Sequence, residues 1–163
     1  MPRALPPEER RGEILDQAFG LFAARGYHAL SMRDLARELG SSTGVLYHWF
    51  PGKSELYTAM LERQVARQVR EALGVILASE DRLGATERYV AEHADDLLNT
   101  LLVAIDWFRA EPAARPAVAA ALDAYRSALA DQVGMSAVEA DRFLSHTLGM
   151  LLQRALDPGR GAS

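Results

Sequence analysis

Between Ser31 and Phe50 the chain holds two short apolar-periodic runs, each introduced by a serine and parted at Gly40, and no other stretch restricts the fold so tightly. Ser31 and Asp34 have the S-x-x-D spacing of a capping box, in which each side chain satisfies a free backbone N–H of the other's turn. The run behind them turns Met32, Leu35, Ala36 and Leu39 inward and stops at Gly40 after barely two turns. Ser42 caps the next helix, expected from about Thr43 to Phe50, and Pro51-Gly52 closes it before Lys53 opens another. Two short helices joined by a turn of about three or four residues containing glycine have the spacing of a helix-turn-helix. In that unit the second helix enters the major groove and presents its N-terminal residues to base edges.

The same reading accounts for the aromatic run Tyr47-His48-Trp49. Leu46 and Phe50 form the buried face of the third helix, with Val45 near the boundary, which leaves Tyr47, His48 and Trp49 free to meet a phosphate backbone. Gly44 carries no Cβ, so a sugar-phosphate chain can approach closely there. Trp49 taken alone fits a core position equally well, but three adjacent helical residues cannot all point inward.

The remainder also reads as helical, because Ala, Leu, Arg and Glu dominate and Gly and Pro fall at punctuating positions. No sustained alternation marks a strand, and there is no internal repeat. A first helix is expected from about Pro7 to Arg25, a fourth from Lys53 to about Ala78, a fifth from Ala85 to about Ala110 and a sixth from about Pro116 to Val133. A second S-x-x-E box, Ser136 and Glu139, opens a seventh that ends near Asp157-Pro158-Gly159. The expected fold is all-α: an N-terminal three-helix helix-turn-helix domain over residues 1–53, then a compact helical regulatory and dimerisation domain over 54–163.

Charge needs dividing along the chain before it says anything about partners. The net charge of −4 hides seven Lys/Arg against six Asp/Glu in residues 1–53 and eleven against sixteen thereafter. The acidity belongs to the second part, and only the field within about 8 Å of a contact counts at physiological salt. Without cysteine there is neither a disulfide nor a thiolate metal site. The N-terminal MPRALPPEERR carries no apolar run after its charges, and no stretch approaches the roughly 18 apolar residues of a membrane span. A soluble, cytoplasmic protein with no membrane partner is the expectation.

From Ile14 to Met60 the chain resembles the DNA-binding domain of the TetR family of bacterial transcriptional regulators. The matching residues are ILDQAFGLFAARGYHALSMRDLARELG followed by STGVLYHWFPGKSELY. Carried over by position, the resemblance implies DNA contacts from Arg33, from Thr43, Gly44, Val45, Tyr47 and His48, and from Lys53. Tyr47 and Lys53 would mainly hold phosphates, while Arg33, Thr43 and Val45 are better placed for bases. Thr43 stands where members often carry a basic residue, Ser41 where they carry an apolar one, and Trp49 where they carry His or Tyr. The resemblance further implies a double-stranded, palindromic operator, a small-molecule effector, repression, and a homodimer built from the last two helices. Most members have nine or more helices, so seven make a short regulatory part.

The seventh helix supports the dimer independently, because Phe143, Leu144, Thr147, Leu148, Met150, Leu151 and Ala155 cover more than the roughly 100° a one-sided surface helix needs. For the effector, winding the fifth helix at 100° per residue places Tyr89, His93, Asp96, Thr100, Val103 and Trp107 in one stripe beside an apolar stripe, Val90, Leu97, Leu101, Ile105 and Phe108, expected to be core. Aromatic faces with a few polar anchors suit an apolar pocket. Trp107 would stack on the ligand, His93 or Thr100 would fix a polar group, and Tyr125 or Met150 would close the far wall. The plain alternative is that the mixed stripe only marks where core meets solvent.

No enzyme or metal signature competes. His28, His48, His93 and His146 make no His-x-x-x-His or Glu-x-x-His pairing, the serines fall at caps and helix surfaces, and there is no glycine-rich phosphate loop. No cofactor is expected. The leading reading is a ligand-responsive DNA-binding regulator. Its rivals are a DNA-binding regulator controlled by a protein partner and a small helical-bundle enzyme.

Overall fold

The computed structural model describes residues 6–156, apart from the side chains of residues 117, 121, 154 and 155. Eight α-helices and no strand occur among the described residues: α1 Pro7–Arg25, α2 Met32–Glu38, α3 Thr43–Trp49, α4 Lys53–Leu77, α5 Arg82–Glu92, α6 Ala94–Ala110, α7 Arg115–Ala128 and α8 Ala137–Leu156. A 3-10 turn, Pro112–Ala114, leads into α7, and a π turn, Leu129–Val133, leaves it.

The first three helices form where their caps put them. Proline at the first position and Glu8 and Glu9 in the first turn suit the N-terminus of α1. Both halves of the Ser31–Asp34 box are made at 3.1 Å, and the Ser42 hydroxyl accepts from the Val45 N–H at 3.2 Å. Gly40 ends α2 at φ 58°, a left-handed conformation that glycine adopts without penalty. Ile14, Leu15, Ala18 and Phe22 of α1 pack with Leu35, Leu46 and Phe50, and with Leu56, Tyr57 and Met60 of α4. Each such fully buried large side chain contributes about 1.5–3 kcal/mol. Val103 and Trp107 of α6 belong to the same cluster, so the first four helices and α6 share one core.

The expected fifth helix is two helices. Asp81 caps α5 by accepting from the Gly84 N–H at 2.9 Å, which starts the helix three residues before Ala85. At His93 the backbone leaves helical geometry (φ −107°, ψ 17°), the imidazole stacks on the Tyr89 ring at 4.1 Å, and its Nδ1 lies 3.0 Å from the Tyr89 carbonyl that the His93 N–H also uses. The chain thus breaks without Gly or Pro. The sixth expected helix keeps α geometry only to Ala128 and then widens into the π turn, closed by Gly134 at φ 80°. Ser136 and Glu139 cap α8 reciprocally at 3.3 and 2.8 Å. Its expected end at Asp157-Pro158-Gly159 lies outside the described residues.

The burial of the two stripes is also the reverse of the expectation. Tyr89, Thr100, Val103 and Trp107 are buried, whereas Leu97, Leu101, Ile105 and Phe108 of the supposed core stripe are half-buried, with only Val90 fully inside. The polar members are accepted inside because α4 presents Gln64 and Gln68, both buried, as hydrogen-bond partners.

Candidate nucleic-acid interface and the cavity behind it

The short helix α3 is anchored by Leu46 and Phe50 and turns its other side to solvent. Gly44 and His48 are exposed, Val45 and Tyr47 are 41% and 52% exposed, and Thr43 at the first turn is half-buried. Arg33, one residue into α2, is exposed and has no ion pair among the described residues, unlike Arg37, which pairs with Asp34 at 2.9 Å. A major groove is wide enough to admit an α-helix exposed in this way. Trp49 departs from the free face: it is half-buried against the core, its ring 5.3 Å from His48 and edge-on to it. Its neighbours Tyr47 and His48 point out because 100° per residue leaves room for one inward side chain of the three.

Lys53 is placed otherwise than a free phosphate donor. Its ammonium donates to the Tyr27 carbonyl at 2.9 Å and lies 3.9 Å from the centre of the Tyr27 ring. Burial lowers its pKa, partly offset by the Glu111 carboxylate. Tyr27 is itself gripped by α6 and the residue that follows it. Its N–H donates to Asp106 Oδ2 at 2.6 Å and its hydroxyl to Glu111 Oε1 at 3.1 Å. Burial, together with Glu111, pushes the Tyr27 phenol up to about 12. Nearby, the Tyr57 hydroxyl donates to the Val103 carbonyl at 2.8 Å.

On another side of α6, the helices α4, α6 and α7 surround a cavity of about 350 Å³, and a second lobe of about 180 Å³ reaches α8. Thr100, Trp107 and Tyr125 line the first lobe; Tyr89, Thr100 and Tyr125 line the second. His93 and Met150 line neither. His93 is held at the helix break against Tyr89, and Met150 packs half-buried on the Val90–Phe143–Leu144 cluster.

The polar atoms facing this region are mostly taken. The Thr100 hydroxyl donates to the Asp96 carbonyl at 3.0 Å and accepts from Gln68 at 2.9 Å and Gln64 at 3.4 Å, which fills its one donor and two acceptor positions. It therefore shows a cavity only its methyl group. The Tyr89 hydroxyl donates to the Gln68 carbonyl at 3.2 Å, and burial pushes its pKa up to about 12. Burial alone would raise the Asp96 carboxyl, but hydrogen bonds from Gln68 and from Arg67, the latter at 2.9 Å, hold it below its ordinary range. Gln64 and Gln68 had gone unnoticed in the sequence, where only their i,i+4 spacing in line with Leu61 and Ala72 signals an inward polar pair.

The family model described as bacterial regulatory proteins, tetR family, matches residues 14–60. The chain is 34% identical to the HTH-type transcriptional activator FasR of Mycolicibacterium smegmatis over 90% of its own length and 69% of that protein's. It is 32% identical to the HTH-type transcriptional repressor AcnR of Corynebacterium diphtheriae over 65% of its length, where it spans about half (54%) of the relative. A solved tetR-family transcriptional regulator from Streptomyces coelicolor shares the fold at a TM-score of 0.69 and 24% identity, covering 96% of this chain and 73% of that one. Among the described residues no helix is long and apolar enough to cross a membrane. A helix-turn-helix with an exposed α3 and a helical domain behind it, carried by a sequence this similar to FasR, places the chain in the TetR family, whose members are DNA-binding transcriptional regulators and not enzymes.

Proposed function

We propose that this regulator binds a palindromic operator as a cytoplasmic homodimer, and that a largely apolar small molecule in the cavity behind α6 sets its affinity for DNA. Arg33, Thr43 and Val45 read bases; Gly44, Tyr47, His48 and Lys53 meet the backbone. The dimer forms through α7 and α8, the latter carrying the exposed Val138, Leu152 and Leu156. Two copies of α3 then enter successive major grooves about 34–36 Å apart or a multiple of it.

One observation carries the ligand-responsive part of the reading. The helix that supplies Trp107 to the cavity wall supplies Asp106 to the Tyr27 clamp, so a molecule that shifts α6 also shifts the loop joining α1 to α2. Such a ligand acts only through unequal affinity for the DNA-competent and incompetent arrangements. In the simplest scheme the ligand-free dimer represses and the ligand releases it; AcnR is named a repressor, FasR an activator, so the assay must register either sign. Gel shifts on the DNA upstream of the gene, with and without apolar ligands, test the whole. Operator binding that no small molecule alters would favour control by a protein partner, and absence of sequence-specific binding would remove the reading.

A further inference from the structure

Trp107 is 3% exposed, it lines the first lobe, and its indole N–H has no hydrogen-bond partner among the described residues. Native proteins rarely leave such a donor unpaired, because desolvating it without a partner is costly. The neighbouring Thr100 hydroxyl has no capacity left, being saturated by Asp96, Gln64 and Gln68. Among the described residues lining the two lobes the only charged one is Glu62, and the nearby Arg67 is committed to Asp96 at 2.9 Å and to Glu71 at 3.0 Å. Among the described residues the cavity therefore has apolar walls and no cation, and one wall residue, Trp107, keeps an unused N–H donor.

Building on the effector reading above, we infer that the cavity takes a neutral, largely apolar molecule bearing a carbonyl-type oxygen, and that this oxygen accepts a hydrogen bond from the Trp107 indole. A carboxylate or phosphate group is disfavoured inside, since it would find Glu62 and, among the described residues, no counter-charge. A pure hydrocarbon fills the space but leaves the indole stranded. The Thr147 hydroxyl, the other buried side-chain group without a partner among the described residues, lies in the wall of the second lobe and gives a longer ligand a second polar point of attachment.

Three small probes separate these chemistries: acetophenone, α-methylstyrene, which replaces the oxygen by a CH2 group at nearly constant shape, and benzoate, the related anion. The chain has two tryptophans, so a ¹⁵N-labelled sample of the full chain gives two indole N–H resonances, and Trp107→Phe identifies the relevant one. Acetophenone should move the Trp107 resonance downfield, and α-methylstyrene should bind without that movement. The preference for acetophenone, read as the dissociation constant of α-methylstyrene divided by that of acetophenone, should fall about tenfold in Trp107→Phe, a comparison that cancels their different hydration. Benzoate should bind more weakly than acetophenone. A Trp107 resonance that responds equally to both neutral probes, an unchanged ratio, or tighter binding of benzoate overturns the inference and leaves the effector site standing. Failure of all three to bind up to their solubility overturns the inference and the cavity as an effector site together. Where Trp107→Phe does not fold, Trp49→Phe leaves the Trp107 resonance as the remaining indole signal, and the spectra then decide the matter.

Discussion

The backbone N–H of Tyr27 donates to Asp106 Oδ2 at 2.6 Å across 79 residues of sequence, and the residue beside it explains how the carboxylate gets so close. Gly26 holds φ at 78° with ψ at 165°, and a Cβ there would stand 3.2 Å from the same oxygen. The turn after α1 is thus shaped to receive a carboxylate from α6.

Gly26→Ala should destabilise the protein by about 1–3 kcal/mol through backbone strain alone, and Asp106→Ala by about 1.5–3 kcal/mol through loss of a charged acceptor. Urea unfolding midpoints check both. Asp106→Ala should also bind operator while responding less to ligand. Full ligand response in this variant would show that the Tyr27 contact does not transmit it.

Two substitutions separate base reading from backbone holding. Arg33→Ala should lower the preference for operator over scrambled DNA, by about 1–3 kcal/mol at the base pair it reads. Tyr47→Phe should weaken both DNAs alike. Gel shifts that fail to change for either variant would take these residues out of the interface.

For the dimer, burial decides which leucine to change. Leu151 is 4% exposed within the single chain, so an arginine there would damage the fold and report nothing about assembly. Leu152 is 49% exposed, and Leu152→Arg should give a folded monomer. Light scattering at micromolar concentration reads the result, and a wild-type monomer under those conditions rules out the α7–α8 interface.

Acid should loosen the contact between α4 and α6. Because Asp96 is held below its ordinary value of 3.8, it binds fewer protons folded than unfolded. Its contribution is therefore complete above about pH 5, and it is lost as the pH falls past the unfolded value and through the lowered folded one. Asp96→Asn should be less stable than wild type at neutral pH and should flatten the acid limb between about pH 5 and pH 3. Parallel acid limbs in urea titrations would assign the wild-type slope to other carboxylates.

What the sequence disclosed and what it concealed follow from the range of the forces involved. Ser31, Asp34, Gly40 and Ser42 act within a turn of themselves, so α2 and α3 were readable with their caps and their buried Leu46 and Phe50. The break at His93 has no glycine or proline to announce it, and the Asp81 cap lies before the first residue that looked helical. The reversal of the two stripes was hidden for a different reason. Beyond its local bond to the Asp96 carbonyl, Thr100 meets Gln64 and Gln68, which stand 36 and 32 positions earlier on another helix, a pairing that no property of the α6 sequence announces. The resting place of Lys53 was hidden likewise, since its partner Tyr27 is 26 residues away.

That lysine gives DNA binding an uneven signature. Neutralising a phosphate releases condensed counterions, so each such contact steepens the dependence of affinity on salt by about 0.9 in log–log slope. A lysine that came from water would add affinity in step with that slope. Lys53 already places one of its three N–H donors on the Tyr27 carbonyl and its charge against the Tyr27 ring, so a phosphate would share the ammonium with those partners and gain less than it would from a free one. In the complex it would contribute to the salt slope in full and to affinity at physiological salt only in small part, so the number of phosphates counted by salt titration would exceed the number that tighten binding.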